Sequence, residues 1–134
     1  MDAKEAKHRQ RQFSDAQREK CWARADYIPG RSPSRWRLDA VGNPVLKRLN
    51  GCFGAFCYEF DHVLPYAHGA KTCTKNCQIL QTTVNRYKRD LVMSRDQLKP
   101  ASIDIHCSDL EMDIVERAVY GDVSKAALSK EAGV

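Results

Sequence analysis

Four polar residues in one short stretch constrain this chain more than any other feature. They are Asp61 and His62, then Asn76 fourteen residues on, then Asn85 nine residues later. Histidine is a natural general base, with an ordinary pKa of about 6.5. A carboxylate and an amide oxygen are ligands for a hard cation such as Mg²⁺. The set therefore has the parts that phosphodiester hydrolysis requires. The surrounding elements are short. Phe56 to Val63 is aromatic and β-branched and reads as a strand. Pro65 to Lys75 reads as a loop with Gly69 as its flexible point. Residues 77–91 read equally as a short strand followed by a helix capped by Thr82 or Thr83, or as one continuous helix. Adjacent strand residues point to opposite faces, so Asp61 and His62 converge only if the strand ends or kinks there. Pro65 gives it a reason to end.

The runs Glu59-Phe60-Asp61-His62-Val63-Leu64-Pro65, Gly69, Asn76-Cys77-Gln78-Ile79-Leu80 and Asn85-Arg86-Tyr87-Lys88 resemble the HNH endonuclease pattern. That pattern is E-x-D-H-x-x-P, a glycine-containing loop, N-x-x-x-L and N-x-x-K. The likeness covers residues 58–90. A looser one, through Trp22, Pro29-Gly30 and Arg37 to Asn43, reaches small bacterial and plant HNH proteins. The resemblance implies an α+β fold on a ββα-metal finger (HNH, His-Me finger), with its core at residues 56–91. An N-terminal helix and hairpin and a C-terminal helix would flank it. The resemblance selects strand-then-helix for residues 77–91. It implies a metal-dependent endonuclease that nicks or cuts DNA by hydrolysis. His62 would be the general base, and Asp61 and Asn85 the ligands of a divalent cation, Mg²⁺ or else Mn²⁺. Asn76 would complete the catalytic set by bracing the loop and holding the imidazole. The alternative is a non-catalytic nucleic-acid-binding or assembly subunit, on the same fold, of a larger ribonucleoprotein or organellar complex.

Charge is divided along the chain. Residues 1–99 hold nineteen Lys/Arg against ten Asp/Glu, and residues 100–134 hold three against seven. A basic body suits a polyanionic partner, here double-stranded DNA. Arg86, Lys88 and Arg89 on the finger helix and Lys71 and Lys75 in the loop are the expected phosphate contacts. Glu59 has a structural role, paired with Arg or Lys. His68 reads as a loop histidine, and His8 and His106 carry no pattern.

No apolar run approaches the roughly 18 residues of a membrane span. Met1 to Lys20 has no apolar core of a secretory signal. The expected setting is an intracellular, reducing compartment, whether nuclear, cytoplasmic or organellar, with all six cysteines as thiols. Cys52/Cys57 and Cys73/Cys77 have spacings found in zinc sites. The C-x-x-C pair that flanks zinc-bearing HNH fingers is missing beside Asn85, so no structural zinc is expected.

Residues 1–12 read as a flexible arm and residues 13–134 as one domain. Ser14 or Asp15 caps a helix reaching about Asp26, and Arg37 to Leu49 forms a hairpin turning at Gly42-Asn43. The tail has capping-box spacing from Ser108 to Glu111, then Leu110, Ile114, Ala118 and Val119 at helical spacing, then Gly121 as a stop. That face is expected to pack on the finger in a helix spanning residues 108–120. It is also the candidate contact for a homo-oligomer or larger complex.

Overall fold

Ser14 starts the first helix, α1 (Asp15–Arg24), through a capping box. Its hydroxyl accepts from the Gln17 N–H, and the Gln17 side chain accepts from the Ser14 N–H. The computed structural model describes residues 2–4, 11–103 and 109–123. Over these residues the architecture is mixed α+β, with two small antiparallel sheets and four α-helices. Most of the expected arm, with His8, His106, Cys107 and the capping residue Ser108, lies outside the described residues.

Strands β1 (Trp36–Leu38) and β2 (Pro44–Leu46) form the hairpin, with Trp36 opposite Leu46. The buried Asp39 carboxylate organises its turn. Oδ1 accepts from the N–H groups of Val41 (3.0 Å) and Asn43 (2.7 Å), and Oδ2 accepts from Gln81 N–H at 2.7 Å. The same side chain thus closes the turn and docks it on the second sheet. Gly42 takes φ +89 in this turn, and a Cβ there would meet the Arg95 guanidinium at 3.0 Å, so both backbone and space call for glycine.

Strands β3 (Tyr58–His62) and β4 (Cys77–Gln81) pair antiparallel, with His62 opposite Cys77 and Asp61 opposite Gln78. Helix α2 (Thr82–Lys88) follows β4 without a break, and Gln81 is its N-cap. The expected threonine cap is corrected here. Thr82 is the first helical residue and is buried, while the Thr83 hydroxyl bonds to Gln81 and to the Ala101 carbonyl. The helix stops where Arg89 takes φ +52, so Leu91, expected on the helix, lies beyond it and is exposed.

The core divides into three clusters. Phe13, Cys21 and Trp22 meet Val45, Tyr58, Cys77 and Ile79 on one side of the β3–β4 sheet. Val41, Leu80, Val84 and Leu98 fill the other side, with Leu98 ending α3 (Arg95–Leu98). Trp36, Leu46, Phe56 and Met112 join the hairpin to α4 (Asp109–Tyr120). Burying a side chain of this size contributes roughly 1.5–3 kcal/mol each.

One expectation about the tail is overturned. Helix α4 packs on the hairpin, and its buried residues are Met112 and Glu116, while Leu110 and Ile114 are 67% and 60% exposed. The inward face is two positions from the expected stripe, a rotation of about 200°. The cause is ionic. Arg31 meets Asp109 and Asp113, Arg35 lies 3.5 Å from Glu116, and the Trp36 indole N–H donates to Glu116 at 3.1 Å. Arg31, Arg35 and Arg37 are all buried, so part of the basic excess serves the fold rather than a partner.

The cysteines are corrected at one pair. Cys52 and Cys57 form a disulfide, their Cα atoms 5.3 Å apart across a turn in which Cys57 N–H donates to Gly54 C=O. Cys21, Cys73 and Cys77 are free thiols.

Candidate active site

The two faces of β3 decide where each functional group goes. Tyr58, Phe60 and His62 turn toward α1. The Tyr58 ring lies 5.4 Å from both Trp22 and Phe60, and His62 stacks on Phe13 at 4.4 Å. Glu59 and Asp61 turn toward α2, where Glu59 meets Asn85 and Arg86 and Asp61 meets Lys88. This is strand alternation without a kink. Both kinds of residue still reach one cleft of about 680 Å³ at the end of the strand. Its walls include Glu59, Asp61, His62, Tyr66, Asn85 and Arg89.

His62 is oriented by three neighbours. Its Nε2 lies 2.9 Å from the Thr72 hydroxyl, Phe13 covers one face, and Tyr66 stands at 5.9 Å. Burial is the main influence on its pKa and lowers it below the usual 6.5. The Asp61 charge opposes this, and Arg11 and Lys88 add to it. Burial thereby favours the neutral ring, the form in which a base accepts a proton.

Asn76 staples the loop between the strands. Its Oδ1 accepts from Leu64 N–H at 2.8 Å, and its Nδ2 donates to the carbonyls of Leu64 (2.9 Å) and Lys71 (3.1 Å). It reaches the imidazole through the chain, since Thr72, the partner of His62, follows the Lys71 that Asn76 holds. His68 lies exposed in a 3₁₀ turn of the same loop.

Glu59 organises the helix side. Oε1 accepts from Asn85 Nδ2 at 3.0 Å, and both carboxylate oxygens accept from Arg86 at 2.9 and 2.8 Å. This fork is the strong, directional form of an ion pair. With its nitrogen tied to Glu59, Asn85 keeps its carbonyl oxygen as a donor atom for a cation. Asp61 and this amide both line the cleft and offer oxygen atoms of the kind a hard divalent cation retaining several waters takes. Among the described residues no group of three or more His, Cys, Asp or Glu side chains could hold a metal. The Asp61–Asn85 pair is smaller than such a group.

The five expected phosphate contacts separate. Lys71, Lys75, Arg86 and Arg89 are exposed, although Arg86 is committed to Glu59. Lys88 is not a phosphate contact. It is 1% exposed, with Nζ 3.0 Å from Asp61 Oδ2 and 3.0 Å from the His62 carbonyl oxygen. The helix turns this position inward, where the carboxylate needs a counter-charge.

Sequence reading missed Phe13, Thr72 and Gln78 as neighbours of the site. The Gln78 amide donates to Asp61 at 3.0 Å. Only Gln78 had a signal, since strand pairing sets it opposite Asp61. No family model matches the chain, and comparison with curated proteins and with solved structures gave no match.

Proposed function

We propose that this chain is a metal-dependent endonuclease of the HNH type, hydrolysing phosphodiester bonds in DNA. One observation carries the reading: Asp61, His62 and Asn85 line a single cleft at the end of a strand–loop–strand–helix unit. The motif that suggested the family and the spatial grouping of its residues both support this reading.

In this reading His62 Nε2 donates to Thr72, which leaves Nδ1 as the proton acceptor. Nδ1 takes a proton from water as the water oxygen bonds to phosphorus. The bond from phosphorus to the 3′ oxygen breaks, and that oxygen leaves with a proton from solvent. Asp61 and Asn85 would hold a divalent cation, which would supply charge neutralisation at the phosphate and on the leaving oxygen. Asn76 keeps the loop closed so that Thr72 stays on the imidazole. Arg89, Lys71 and Lys75 offer exposed charge to the flanking phosphates.

A second reading is a non-catalytic assembly subunit, and the exposed Leu110 and Ile114 on α4 favour it. Incubating supercoiled plasmid with the protein in Mg²⁺ or Mn²⁺, with and without chelator, separates the two. Nicked circles that disappear with chelator support the nuclease. Intact plasmid in every lane supports the subunit.

A further inference from the structure

Lys88 is the most deeply buried charged group beside the candidate site. Its aliphatic stem runs inward from the last turn of α2, a helix end that favours a cation. Its ammonium spans two groups, the Asp61 carboxylate at 3.0 Å and the His62 carbonyl at 3.0 Å. Asp61 is itself only 11% exposed. A carboxylate this buried is costly without a counter-charge, and Lys88 provides one from within the chain. The arrangement has a consequence for any second cation. A metal ion that takes Asp61 must share one carboxylate with an ammonium already on it, against like-charge repulsion at short range.

We infer that Lys88 is an internal counter-cation that sets how tightly Asp61 takes a divalent metal. It keeps the metal-free site neutral and folded, and it weakens metal affinity in return. The inference rests on the reading of Asp61 as a metal ligand. It also gives Lys88 a positioning role, since the same ammonium ties the end of α2 to the strand end that carries His62.

The test is Mn²⁺ binding, read from the loss of the free-ion electron paramagnetic resonance signal, with no nucleic acid present. Wild type, Lys88→Met, Lys88→Gln and Asp61→Asn are titrated side by side, and each is melted with and without Mn²⁺. The expected result is Mn²⁺ affinity at least about ten-fold higher in both Lys88 variants than in wild type. Without metal these variants melt below wild type, and Mn²⁺ raises their Tm by more than it raises the wild-type Tm. A Lys88 variant that folds only with Mn²⁺ supports the inference more strongly still. Unchanged or weaker Mn²⁺ binding in both Lys88 variants, with binding lost in Asp61→Asn, overturns the inference and leaves Asp61 as a ligand. Wild-type Mn²⁺ binding by Asp61→Asn overturns the ligand reading itself, and the inference with it.

Discussion

Asp61 and His62 are consecutive in β3 and leave it on opposite faces: Asp61 meets Lys88 on α2, and His62 stacks on Phe13 beside α1. A cleft that wraps the strand end lets both line one space. The proposed base and the proposed cation ligand are thus held by different parts of the core, and each is testable alone.

The first prediction concerns the base. Burial penalises the imidazolium, so in the metal-free protein His62 titrates below 6.5. The folded state then binds fewer protons than the unfolded chain between the two pKa values. Stability from this site is full above about 6.5 and is lost as pH falls through the lowered value. Phe13→Ala, which uncovers the ring, moves the pKa back toward 6.5. Histidine ring proton shifts followed by NMR across pH check both. A wild-type His62 titrating at or above 6.5 refutes the burial argument.

Glu59→Ala frees Asn85 and Arg86 together, because one carboxylate holds both. The Mn²⁺ concentration for half-maximal nicking should rise severalfold, as it should in Asp61→Ala and Asn85→Ala. Each change disturbs a sparse oxygen set. Titrating Mn²⁺ against nicking rate reads the effect. Half-saturation unchanged from wild type in all three variants would place the metal elsewhere.

Much of this arrangement was legible in the chain. The first strand of the pair, the hairpin turning near Gly42 and the Ser14 cap all appear where patterning put them, while the second strand and the helix after it follow the choice made by the family resemblance. What was not legible depended on partners far away in sequence. Lys88 read as a surface charge because nothing local shows that helix α2 turns it onto Asp61. Helix α4 read as burying Leu110 and Ile114 because apolar periodicity is the usual guide. Arg31 and Arg35, some 80 residues earlier, instead draw Glu116 inward. The Cys52–Cys57 disulfide depends on a loop turn that composition does not specify.

Asp39→Ala should destabilise the fold by about 3 kcal/mol or more, since it leaves the N–H groups of Val41, Asn43 and Gln81 without their acceptor. Urea unfolding followed by circular dichroism measures it. A loss under about 1 kcal/mol would mean that the hairpin turn and β4 hold together without this carboxylate.

Phosphate contact should follow exposure. Arg89→Ala should weaken binding equally on unrelated duplexes and lower the log–log salt slope by about 1. Lys71→Ala and Lys75→Ala should behave alike. Fluorescence anisotropy across a salt series measures the slopes. A loss on one duplex alone would make the residue a reader of bases.

The central claim is that His62 activates the water that cuts the backbone. Single-turnover nicking of supercoiled plasmid in Mn²⁺, wild type beside His62→Ala, tests it most directly, with a gel shift confirming that both bind DNA. The expected result is a rate lower by about 10²–10⁴-fold in the variant with binding retained. Equal nicking rates in the two proteins would contradict the account.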